Sequence, residues 1–419
     1  MDMTRDALIL ILCLLIGKTA NENALIKNVT DILNTAKALD NGNGSFVDKI
    51  NNVGNFAEKF TEMIAPALLS LRAEKMSGGE KSANSLDSRL LKNLMIEVDR
   101  EFKGLSVKLE NLIHKMEEHR IQMQLGNTEQ KIRVAAQELE ILHSVPADAF
   151  SEQVRLFILN YESDFQNSAK KLFHSVMSEN SIFYQSMFDI ALPLTQYNRQ
   201  AMQLFMMSVL KLLLQGVNVE MSYLIVKNYS ESYKYMKHDW GQKIKQVTNH
   251  ITQIDQVVKS KWREQAEADV IQMAETKRGL DHYSFVHLMY NHLQNKYPWR
   301  HWFAVVYDPI DGPDKHWMST CGGFTLFRFH GRNIVVASVD ENKPYMDRKK
   351  GVDILENLPP STTAEGFYYS LPGNITGTCN WYASSGCLRF GYKGFHVGNG
   401  KRTVLVTRDD SDMTLHLFG

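Results

Sequence analysis

The sequence predicts an α+β protein, mostly α: an elongated antiparallel helical bundle followed by a small β-rich C-terminal domain, sandwich or barrel-like. Three observations carry this. Two long apolar seams recur at heptad spacing, at Leu91–Met116 and Tyr233–Val258. Between them in the chain lies Arg199–Val226, a helix-length run with only Lys211 and Glu220 charged after Arg199. Proline then marks a boundary. Of ten prolines only Pro66, Pro146 and Pro193 precede Tyr297, and the rest begin at Pro298, so helix breakers crowd the last part of the chain. The expected division is 1–20 as a leader, 21–296 as the bundle and 297–419 as the β-rich domain.

The leader is read from Arg5, the apolar run Ala7–Ile16 and the small residues Gly17, Thr19 and Ala20. The run is too short to span a bilayer and fits a secretory signal. Ala24–Leu39 and Phe46–Leu71 carry helical periodicity, with Pro66 as a kink. The first seam, Leu91, Met95, Val98, Phe102, Leu105, Leu109, Leu112 and Met116, steps four, three, four, three. It would face a partner for about 39 Å. It resumes at Ile132, Ala135, Leu139 and Leu142 before Pro146. A further long helix is expected from Ser151, with Val154, Ile158, Tyr161, Phe165, Leu172 and Val176 on one face. The second seam runs Tyr233, Met236, Trp240, Ile244, Val247, Ile251, Ile254 and Val258, and Tyr283–Leu293 is a last short helix.

From Trp299 the pattern is short and β-rich. Strands are expected at Trp302–Tyr307, Phe324–Phe329, Asn333–Val339, Arg402–Thr407 and Thr414–Phe418, with a turn at His330–Gly331–Arg332.

Composition narrows the function. The charge balance is even, 47 basic against 47 acidic residues, which gives no electrostatic footprint for nucleic acid. No serine-hydrolase elbow, phosphate loop, zinc-binding HExxH helix or dinucleotide fingerprint is present, so no enzyme is expected. His114 and Glu118 lie one turn apart in a charged run and read as a solvated face, and His282 and His287 share no face.

Three other features invite chemistry. Asp308, Asp311 and Asp314 bracket a Gly/Pro turn and offer carboxylate oxygens for calcium, although their spacing is not that of an EF-hand loop. Trp381 and Tyr382 sit in a short loop between Cys379 and Cys387, where they could meet sugar, lipid or protein. Cys379 and Cys387 could bridge, leaving Cys321, although other pairings stay open. Sequons at Asn28, Asn43, Asn228 and Asn374 agree with a secretory route.

The run Arg199–Val226 supports two readings. Ser208, Lys211, Gln215, Asn218 and Ser222 alternate by three and four, drawing one polar line down an otherwise apolar helix. As a permanent anchor it is poor, because Lys211 at mid-span costs about 3 kcal/mol. It is either a bundle core or an element that a soluble protein inserts into membrane. In the second case Phe205, Met206, Leu210, Leu213 and Leu214 would meet lipid, and Gly216 would be a bend.

The segments YESDFQNSAKKLF, FDIALPLTQYNRQAMQLFMMSVLKLLLQG and YPWRHWFAVVYDPIDGPDKHWMSTCGGFTLFRFHGRNIVVASVDEN, with the Trp240 helix, resemble the cephalotoxin-like proteins. These are secreted animal proteins related to cuttlefish salivary cephalotoxin and, distantly, to fish rapunzel. The likeness covers about Val154–Asn342. It implies an extracellular protein, a venom component in some members and a tissue or matrix component in others, and brings no catalytic residues. The large venom member carries modules not seen here. The expected function is thus a secreted, non-enzymatic protein acting at cell surfaces, with membrane lipid as partner through Met187–Val226. The alternative is a structural or adhesive matrix protein whose β domain binds a matrix protein, glycan or receptor.

Overall fold

The computed structural model describes residues 119–177, 185–372 and 382–419, with single helical positions at 46–48, 50, 51, 55, 68, 72 and 75. The expected leader, the helix Ala24–Leu39, most of Phe46–Leu71 and the seam Leu91–Met116 lie outside the described residues. The chain divides into two compact units between Val257 and Val258, with Tyr197–Arg199 belonging to the second. The fold class is α+β, mostly α.

In the first unit α1 spans His119–Ser144 and α2 spans Phe150–Asn160, followed by a π-helical turn at Tyr161–Phe165 and α3 at Ser168–Met177. Then come α4 (Met187–Leu194), α5 (Arg199–Val226) and α6 (Ser230–Ser260). The seam positions Ile132, Ala135, Leu139 and Leu142 are buried on α1, and those from Met236 to Val258 are buried on α6. The long helix expected from Ser151 is broken instead. Its π turn ends at Asn167, whose φ of 64° is a left-handed conformation that asparagine tolerates. That break brings Tyr161 flat against Tyr223 of α5, ring centres 3.7 Å apart. The α5–α6 connection uses the same device. Asn228 has φ 63°, and the amides of Asn228 and Tyr229 cap the Ile225 and Leu224 carbonyls.

The second unit holds α7 (Trp262–Thr276) and α8 (His282–Lys296), then β1 (Arg300–Tyr307), β2 (His316–Thr320), β3 (Gly323–Phe329) and β4 (Arg332–Asp340). It continues with α9 (Arg348–Glu356), α10 (Ala364–Tyr369), β5 (Ser384–Arg389), β6 (Gly394–Gly398), β7 (Thr403–Arg408) and β8 (Met413–Phe418). Two four-stranded antiparallel sheets form, ordered β3-β4-β1-β6 and β2-β5-β8-β7.

Both faces of each sheet are covered. Phe303, Val305, Tyr307, Val335 and Ala337 of one sheet meet Leu388 and Phe418 of the other. Trp302, Ala304, Val306, Ile334 and Val336 turn the opposite way, onto Val270 and Ala274 of α7 and Phe285 and Met289 of α8. Cys387, Val404, Leu415 and Leu417 pack with Leu355 of α9 and Phe367 of α10. The layers are helix, sheet, sheet, helix. Burial on both faces explains why β1 and β4 read as unbroken apolar runs. The strands start at Arg300, but the compact unit that holds them begins at Val258, and its α7 and α8 supply the core for one sheet face.

Candidate functional site: a buried polar line on the apolar helix

The helix α5 forms because its sequence is rich in Leu, Met and Gln, contains no proline and has a single glycine. Among the described residues it is the one helix long and apolar enough to cross a membrane, and 72% of its most apolar stretch is buried. Phe205, Met206, Leu210 and Leu213 are fully buried and Leu214 nearly so. Phe205 packs edge-on against Phe188 of α4.

The polar line is inside as well. Ser208, Lys211, Asn218 and Ser222 are buried and Gln215 is half-buried. Ser222 Oγ donates to Asn218 Oδ1 at 3.4 Å, one turn below. Gly216 is no bend, since α5 runs unbroken through it. A Cβ there would lie 3.1 Å from Ala169 Cβ of α3, so the missing side chain is what lets the two helices touch.

Glu220 is the feature that charge counting alone understates. Its side chain is buried, accepts a hydrogen bond from Trp240 Nε1 of α6 at 3.1 Å, and faces Lys170 Nζ of α3 at 3.6 Å. Burial pushes its pKa up, against the pull of Lys170, Trp240 and Lys243. At the lower end of α5, Tyr223 donates to Glu162 at 2.7 Å and Lys227 pairs with the same carboxylate at 3.1 Å. The upper part of the site, from Ser208 to Ser222 with Glu220, is enclosed, while the Glu162 pairs at the end of α5 lie at the surface.

The other predicted sites fall differently. Asp308 accepts from His282 Nε2 at 3.2 Å and from the Lys393 amide at 2.9 Å, and Asp311 meets Arg328 Nη1 at 3.4 Å. Asp314 Oδ1 lies over Gly312, whose φ is 108°. The three carboxylates turn to separate neighbours, and among the described residues no group of three metal-binding His, Cys, Asp or Glu side chains converges.

Tyr382 is buried in the second unit and is not a loop-tip ligand, while Trp381 lies outside the described residues. Cys387 is a buried free thiol on the face that meets α9 and α10, so the Cys379–Cys387 bridge is not formed. Strand alternation carries that thiol into the helix–sheet core. Cys379, Asn28, Asn43 and Asn374 lie outside the described residues, and Asn228 is exposed at the α5–α6 turn.

The fold is α+β, mostly α: a helical unit that encloses the apolar helix α5, and a unit of two antiparallel sheets flanked by helices. Residues 80–279 match the family model described as the cephalotoxin-like middle helical domain, so this middle segment is similar to that family's helical domain. The matched stretch holds all of α1 to α7. No curated protein and no solved structure matches the chain.

Proposed function

We propose that this cephalotoxin-like chain is a secreted, non-enzymatic protein that acts at cell surfaces and gives α5 to a lipid bilayer. The observation behind this reading is that the one described helix of membrane length is kept covered, its polar line included. In a bilayer that line needs water or a second polar line to face, so insertion implies association of several chains or pairing with α6.

Reversible cross-linking tests the reading. Ala169→Cys with Gly216→Cys would tie α3 to α5, the two Cβ positions being 3.1 Å apart in the fold, close to the usual disulfide spacing of about 3.5–4.5 Å. Calcein release from phosphatidylcholine and phosphatidylserine vesicles is expected from wild type and from the reduced double variant, and not from the oxidised one. Folded wild type that releases no dye from any of these vesicles, or an oxidised variant that leaks as fast as the reduced, ends the reading.

An adhesive role draws on a different feature. Trp317, Tyr368 and Tyr369 form an aromatic group with ring centres 5.3 to 5.7 Å apart, and Tyr369 is 65% exposed. Such a platform suits stacking on a glycan. Tyr369→Ala that lowers retention on immobilised glycan without changing dye release would favour this role.

A further inference from the structure

Between the two sheets of the second unit, each of two imidazoles leaves one buried ring nitrogen without a hydrogen bond. His416 is buried, its Nε2 is 3.0 Å from Ser384 Oγ, and its Nδ1 makes no hydrogen bond. His396 comes from the opposite sheet, beside Val305, and its buried Nε2 also makes none. The ring centres are 5.7 Å apart, and both rings pack against Phe303. With its proton on Nε2, donating to Ser384, His416 presents a lone pair at Nδ1. A buried unsatisfied polar atom in a well-packed core asks for an explanation.

A third donor lies beside them. Met318, Gly386 and His416 are consecutive across β2, β5 and β8. A Cβ on Gly386 would lie 2.3 Å from Met318 Sδ and 2.4 Å from His416 Cε1. The glycine is therefore what lets the thioether and the imidazole meet over the middle strand. The spacing of the rings is also that of a shared ion. A ligating imidazole nitrogen sits about 2 Å from its metal, so its ring centre is about 3 Å away and two such rings are about 5–6 Å apart.

We propose that His396 Nε2, His416 Nδ1 and Met318 Sδ form a site for a soft monovalent transition-metal ion, with Cu(I) the chemistry that fits best. The donors are two neutral imidazoles and a thioether, with no carboxylate or thiolate among them. Cys387, next to Gly386, faces the other way, into the α9–α10 core. Such a neutral, soft set in an apolar setting selects Cu(I) over calcium, magnesium or a hard divalent ion.

The test uses the full chain under anaerobic conditions, with Cu(I) supplied as its bicinchoninate complex. One Cu(I) per chain should leave the indicator, with X-ray absorption showing two nitrogen neighbours and one sulfur. Met318→Leu keeps the volume and removes only the sulfur. It should weaken Cu(I) retention by about tenfold and erase the sulfur shell. His396→Phe should abolish stoichiometric retention. Folded wild type that takes no Cu(I) from the indicator overturns the proposal. So does copper held equally well by wild type and Met318→Leu with an unchanged sulfur shell, which would place it elsewhere. Preferential uptake of Zn(II) at the same residues would overturn the assigned metal class. Because Met318→Leu is conservative, the outcome does not depend on His396→Phe folding.

Discussion

Tyr297, one residue past α8, donates its hydroxyl to the buried carboxylate of Asp269 on α7 at 2.8 Å. The same carboxylate accepts two bonds from Lys296 Nζ at 2.8 Å, one from His292 at 3.2 Å and one from Gln265 at 2.8 Å. Tyr297 in turn packs between Trp299 and Trp302, ring centres 5.7 and 5.5 Å away. One anion therefore ties α7 to α8 and to the aromatic floor of the first sheet. Asp269→Ala would leave Lys296, itself buried, without its counter-charge. Breaking a buried pair in this way costs about 3–5 kcal/mol. The urea midpoint of the second unit, followed by tryptophan fluorescence, should fall accordingly, and a midpoint unchanged from wild type would refute the account.

The same carboxylate sets an acid limit. Burial alone would raise its pKa, but the hydrogen bonds from His292, Lys296 and Gln265 and the charge of Lys296 outweigh burial and bring it down to about 2. With the folded value below the ordinary one of 3.8, the unfolded state takes up the proton first as pH falls. The stability contributed by Asp269 is complete above pH 3.8 and is lost toward pH 2. Chemical denaturation of wild type and Asp269→Asn at several pH values checks this. The difference between them should shrink across that window and stay constant from pH 5 to 7.

How much of this was readable in advance follows from where the signals are local. The seam from Met236 to Val258 and the limits of α5 are legible because apolar spacing is a property of one helix. β1, β4 and the His330–Gly331 turn are legible because they concentrate β-branched residues and a glycine at positive φ. β2, β5 and β6 are not, since HWMST, SSGCLR and GFHVG are short, polar or glycine-bearing and owe their pairing to neighbours. The short helix α10 hides behind a proline and serine loop, although Thr363 caps it by accepting from the Gly366 amide. The Asp269 network spans 27 and 28 residues, which no window captures. One clue was present: Asp269 lies one turn after buried Ala266 on α7, and a charge on that face must find a partner. The polar line of α5 was visible as a pattern, but whether it faces water or protein depends on helices elsewhere in the chain.

Cys387 should behave as a core residue. Burial pushes its thiol up to about 12, Arg389 only partly opposing, so almost no thiolate exists near neutrality. Maleimide at pH 7.5 should leave Cys387 unlabelled in the native chain and modify it fully in denaturant, as read by peptide mass mapping. Rapid native labelling would show that the α9–α10 layer opens over the second sheet.

Glycan occupancy tests the expected secretory route at a residue the fold leaves open. Asn228 is exposed and projects from the α5–α6 turn in a left-handed conformation. Expressed through a eukaryotic secretory pathway, the chain should lose one glycan mass on Asn228→Gln. An unglycosylated Asn228 in secreted protein would remove that support.

Glu220 ties the stability of the first unit to pH. With its pKa raised by burial, the folded first unit holds the proton more tightly than the unfolded chain, whose value is near 4.5. Between 4.5 and the raised value the folded state binds more protons, so this residue makes the unit more stable as pH falls, not less. Acidification therefore does not loosen α5 through Glu220. Glu220→Gln keeps an acceptor for Trp240 Nε1 and removes the buried charge, at the cost of the partly exposed Lys170 pair. Its urea midpoint at pH 7 should be higher than that of wild type, with the gap closing below pH 4.5. A lower midpoint at pH 7 would mean that Lys170 outweighs burial. On the proposed membrane reading, dye release would then be expected to need no acidification, which comparing release at pH 7 and pH 5 checks.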